Sequence, residues 1–227
     1  MNKYQKILKY TIFVGIALFV FSLVLQFTNP KAEDNLPAGF STPIIAFEFI
    51  QTKEQVIAFF KVEDVEKYMH NMHLGNKIDY IFMITYSVFL FLIANYLYTK
   101  SKARILILAM ILAPLACLFD ALENFQIYNI IKDIHANLDI LLSDLRLYTW
   151  LKWGSLAIIF TIFGMSYLKN RNKWFALIAI VPICIMPIAI FSYNTINEVF
   201  SFSIILNFLV AFIFVVLEYR KALLETK

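Results

Sequence analysis

A chain of 227 residues that is 61% hydrophobic and only 16% charged is too apolar for a soluble domain of this length. Its net charge of +4 comes from basic residues at the ends of apolar runs, which excludes a nucleic-acid surface. Composition therefore predicts an all-α, polytopic membrane protein whose first partner is the lipid bilayer.

Lys3, Lys6 and Lys9 precede an apolar run over residues 10–27. The run is longer than a signal-peptide core and no Ala-x-Ala site follows it, so it reads as a first span, ended by Asn29-Pro30. Residues 28–77 form an extracytoplasmic, partly helical segment. Within it, Phe40 to Ile50 is apolar but too short to span, and Thr52 with Gln55 forms a capping-box pattern that starts a short helix. A second amphipathic helix is expected over 62–74, with Gly75 as its stop.

The second span is expected over 78–98, and the third over 105–126 with a bend at Pro114. Residues 127–146 keep helical apolar periodicity between charges and read as an interfacial amphipathic helix, or as an extension of the third span. The fourth span, 147–168, is entered through Tyr148, Trp150 and Trp153, which read as an interfacial aromatic anchor. Spans 174–193, with Pro182 and Pro187, and 199–217, with Asn207, complete a six-transmembrane-helix bundle. Cys117 and Cys184 lie in apolar segments and read as packing residues.

Charge distribution predicts the orientation. The N-terminus, residues 99–104, residues 169–173 and the tail carry three basic residues each, twelve of the 20, and only Glu218 and Glu225 of the 16 acids. The positive-inside rule then places both termini in the cytoplasm of a plasma (inner) membrane protein.

Under that orientation the embedded polar residues share one depth near the outer side. Asp120, Glu123 and Asn124 fall at i, i+3, i+4 on one face of the third span. Asp79 opens the second span, Lys152 enters the fourth, and Glu48 lies in the segment above. Ionisable groups in such a setting face a bundle interior or a wet cavity. The pattern predicts an outward-facing acidic pocket for a cation, a proton or a small ligand, in a protein of transport or binding type. Carboxylate oxygens suit hard cations. The equally plain reading is a structural pairing of Asp120 and Glu123 with Lys152. His70, Met72 and His73 form a weaker copper-type metal pattern, whose bland counterpart is a solvated helix face. Two further functions fit the same residues: a membrane enzyme acting on lipid with Asp120 or Glu123 as general acid or base, and an accessory membrane subunit without a ligand. No His lies within a span, no zinc-protease, serine-hydrolase or Walker motif occurs, and the basic loops are too short to form a nucleotide-binding domain.

Overall fold

The computed structural model describes residues 3–32, 35–169 and 172–225. Those residues form helices without strands: α1 (Lys3–Thr28), α2 (Pro43–Glu48), α3 (Lys53–Phe59), α4 (Val65–Ser101), α5 (Ile105–Lys132), α6 (Asp139–Lys169), α7 (Lys173–Ala189) and α8 (Thr195–Leu224). Five of them, α1, α4, α5, α6 and α8, are long and apolar enough to cross a membrane, and α7 is a shorter apolar helix of 17 residues.

Each long helix is apolar nearly all round, so burial alone selects its inner face. On α1 the buried positions are Leu8, Thr11, Gly15 and Leu18, one helical stripe, while Phe13, Ile16, Val20 and Leu23 stay exposed. Exposed apolar stripes of this kind are what lipid requires, because the helix satisfies its own backbone. The six longer helices pack in a closed ring, α1 on α4, α4 on α5, α5 on α6, α6 on α7, α7 on α8 and α8 back on α1. Consecutive helices are therefore antiparallel neighbours. One end of the ring carries the start of α1, the end of α8, the α4–α5 turn, the end of α6 and the start of α7. The other, the cap end, carries α2, α3 and the connections around them.

Pro182 shows how the ring accommodates a break. Its missing N–H frees the carbonyl of Ile178, and Asn207 on α8 donates its amide to that oxygen at 3.1 Å. Asn197 closes the same pair of helices by donating to the Ala189 carbonyl at 2.9 Å.

Two boundaries differ from the sequence expectation. Gly75 does not end a helix, because α4 runs unbroken from Val65 to Ser101. A Cβ at Gly75 would collide with the Asn29 side chain, so this glycine serves close approach to the end of α1. Residues 127–146 do not form one interfacial helix: 127–132 finish α5 and 139–146 begin α6. Between them Asp133 accepts from the N–H groups of His135 and Ala136, a side-chain turn that competes with helix. The capping box at Thr52 and Gln55 is present at the start of α3.

The cap sits on a step. From Asp79 back to Val65, from Asp120 to Lys132 and from Lys152 back to Asp139 the helices run 14, 12 and 13 residues, about 18–21 Å at the helical rise. On the α7–α8 side the chain turns already at Ile190–Asn194. The short helix α2 fills the notch against α6 and α8. Gly39, at φ +90°, directs the chain there, against Thr195 at the start of α8.

Candidate functional site

A polar layer lies under α2, about 20 Å below the cap ends of α4, α5 and α6. Its centre is the Lys152 ammonium on α6. Lys152 Nζ lies 3.1 Å from Glu48 Oε2 and 3.4 Å from Asp120 Oδ1, and it contacts Glu123 Oε2. The helix spacing of Asp120 and Glu123 aims both acids inward, where they are 5% and 0% exposed. Lys152 itself is 4% exposed. Its stem cannot reach water, so its charge depends on these partners.

Hydrogen bonds tie the layer together. Trp153 donates its indole N–H to Glu48 Oε2 at 2.9 Å, and Lys152 Nζ sits 4.7 Å from the same ring. Tyr86 on α4 donates to Asp120 Oδ2 at 2.9 Å. The Thr149 hydroxyl lies 2.6 Å from Glu123 Oε1 and 3.1 Å from the Glu48 carbonyl. Toward α4, Asn124 donates to Asp79 Oδ2 at 2.7 Å, and Asn76 donates to the Asn124 carbonyl at 2.9 Å.

The six ligand-site candidates of the sequence thus meet in space: Glu48, Asp120 and Glu123 at Lys152, with Asn124 joining Asp79 to the layer. Asp79 is only half-buried, whereas the other five are buried. Burial pushes the Glu48 carboxyl above the usual carboxylate range. Lys152 pulls it down, and the neighbouring Asp120 pushes it up again. Glu48 is placed by two anchors at opposite ends of α2. Ser41 and Thr42 both donate to Glu198 Oε1 at 2.7 Å, and Trp153 and Lys152 hold the carboxylate.

The weaker metal pattern is not assembled. Met72 is buried in the core, His70 is exposed, and His73 packs edge-on against the Tyr128 ring. Among the described residues no group of three or more His, Cys, Asp or Glu side chains is disposed to hold a metal ion. Both cysteines are free thiols.

Thr149, Trp153, Tyr86 and Asn76 escaped the sequence reading. Trp153 is no interfacial anchor: it is 7% exposed and packs on Phe200. Trp150 lies between Phe49 and Phe200. The available signal was spacing, since Thr149 lies three residues before Lys152 and Asn76 three before Asp79. Comparison with known proteins finds no match: no family model, curated relative or solved structure corresponds to this chain.

Proposed function

We propose that this is a six-span membrane protein of transport or binding type, and that its Lys152 centre binds protons from the side of the membrane opposite the chain termini. Charge balance carries the reading. One ammonium contacts three carboxyls, Glu48, Asp120 and Glu123, and a fourth, Asp79, joins the same layer through the Asn124 amide. At an effective dielectric of about 20, two unit charges about 4 Å apart repel by about 4 kcal/mol. An excess of carboxylate around one ammonium is not sustained at that cost, and protons are the counter-charge that fits carboxyls already packed on a single Lys152.

Thr149 supports the same reading. Its hydroxyl has one proton and two acceptor neighbours, Glu123 Oε1 and the Glu48 carbonyl. Both contacts are hydrogen bonds if a protonated Glu123 donates to Thr149 and Thr149 donates to Glu48. The burial of Asp120 and Glu123 leaves no surface on which a lipid substrate would reach them, which disfavours the lipid-enzyme reading.

The orientation rests on the positive-inside rule with the basic end in the cytoplasm. The 17 residues of α7 extend about 26 Å, the short limit for a sixth span. Counting from that end, 15 residues separate Ile105 from Asp120 and 17 separate Lys152 from Lys169. This sets the centre about 22–26 Å into a hydrocarbon core about 30 Å thick. A cysteine replacing Ser101 should resist an impermeant thiol reagent in intact cells, and one replacing Asn35 should react.

Trp153 provides the test of proton binding, because its indole N–H holds Glu48 and its ring faces Lys152. With Trp150→Phe and Trp174→Phe removing the other indoles, the remaining fluorescence should titrate with pH. Infrared spectra should show a protonated-carboxyl band that Glu123→Gln diminishes. A fluorescence signal flat across pH, with no such band, would overturn the proposal.

A further inference from the structure

Six of the layer's charged and amide side chains are sealed, and one is not. Asp79 is half-buried at the α4–α5 edge, held by the Asn124 amide at 2.7 Å. One turn away on the same face of α4 lies Asn76, 6% exposed. Asn76 spends its N–H on the Asn124 carbonyl, while its own side-chain oxygen is buried with no hydrogen-bond partner. A buried acceptor left open costs about 1–3 kcal/mol, and such groups ordinarily hold a water. A half-buried carboxylate, the least covered acid of the layer, one turn from an open buried acceptor is the arrangement a proton entrance needs. The opposite approach, under α2, is closed by Glu48, Trp153 and the Glu198 anchor.

We infer that Asp79 is the entry port through which the Lys152 centre exchanges protons with the outside, with Asn76 Oδ1 holding the water that delivers them. This rests on the proton-binding reading of the centre. A proton leaves hydronium for the Asp79 carboxylate and passes on to the carboxyl groups behind it. Nothing is oxidised or reduced, and the centre gains one positive charge for each proton taken up. The titratable groups near enough to act on Asp79 are Asp120 and Cys117 from α5, Lys152 from α6, Glu48 from α2, and Tyr80 and Tyr86 on its own helix. Asp120 bears on Asp79 more strongly than the other acids do, and its own carboxyl lies 3.4 Å from Lys152.

The experiment is a stopped-flow jump from alkaline to acid buffer on the full chain, read by Trp153 fluorescence in the Trp150→Phe, Trp174→Phe background. Asp79→Asn should slow the approach to the end point by about a hundredfold, the scale of a positioned proton-transfer group. The end-point change should persist, since Glu48, Asp120 and Glu123 remain. Asp79→Glu should restore speed. Asn76→Val, which leaves every carboxyl in place, should also slow the rate without moving the midpoint, and it serves if Asp79→Asn does not fold. A titrating centre whose rate is the same in Asp79→Asn or Asn76→Val as in the parent overturns the port and leaves the proton-binding reading standing. A parent with no pH response overturns both.

Discussion

One buried acidic centre lies at the basic end of the bundle and another in the layer under α2, and they are built by opposite rules. At the basic end Glu218, 4% exposed, accepts from Tyr96 at 2.6 Å, from Lys100 at 2.6 Å and from Lys221 at 3.1 Å. One carboxylate there has two ammonium partners, whose side chains are 44% and 59% exposed. In the layer under α2 one ammonium contacts three sealed carboxyls, with the half-buried Asp79 joined to them through Asn124. The first centre is complete as it stands and fastens α4 to α8. Tertiary packing gains nothing from the excess acid in the second, since a single Glu with Lys152 would already be a closed pair. Excess buried charge of one sign is the mark of a group whose charge is meant to change.

The sharpest way to break the comparison is to remove one cation from each centre. Lys152→Met leaves four carboxyls with no ammonium and should cost about 3–5 kcal/mol, measured by unfolding in mixed micelles. Lys100→Met should cost about 1 kcal/mol or less, because its ammonium is half in water and Lys221 and Tyr96 still hold Glu218. Equal losses at the two sites would remove the distinction.

The pH dependence separates the centres next. Glu48 lies above its ordinary value through burial, so between that value and its raised one the native state holds a proton the unfolded chain has released. Stability from this group is therefore fully present below the ordinary carboxylate range and is lost as pH rises through the raised one. Each such proton contributes a slope of about 1.4 kcal/mol per pH unit within the window. Glu48→Gln should flatten the slope. Glu218, held by two ammoniums and a phenol, has no excess of acid around it, and Glu218→Gln should leave that slope unchanged.

What the sequence disclosed of this layer followed from how each residue disturbs an apolar pattern. Asp120 and Glu123 interrupt a long uncharged run, so their helix spacing and inward aim could be read directly. Glu48, Asp79 and Lys152 became visible only together, when the basic loops fixed which ends of the spans lie level. Thr149 and Tyr86 leave no such trace, because a hydroxyl or a phenol in an apolar helix does not break its hydropathy. Gly75 was misread for a related reason: a glycine that lets Asn29 approach α4 and one that stops a helix are the same letter. The break at 133–138 was hidden because α5 and α6 both bury apolar residues up to it, Ile130 and Ile131 on one side and Leu142 and Leu145 on the other, so the periodicity runs across the turn.

The smallest expected effect, and the finest division between the centres, is their response to salt. At about 0.15 M ionic strength the Debye length is about 8 Å, and only charges in contact with solvent feel it. Lys100 and Lys221 qualify, because much of each side chain is exposed. A double-mutant cycle on Lys100 and Glu218 should therefore return a coupling of about 1 kcal/mol or less that shrinks as salt is raised. Lys152 and Glu123 do not qualify, with side chains 6% and 0% exposed. Their coupling should be several times larger and nearly indifferent to salt. It should instead depend on pH, because Glu123 shares its protons with Asp120 and Glu48, which also bear on Lys152, and the coupling is greatest where Glu123 is the ionised member. A Lys152–Glu123 coupling that fades with salt would mean that water reaches the centre from the α2 side, and the contrast between a sealed, charge-variable centre and an open, fixed one would fail.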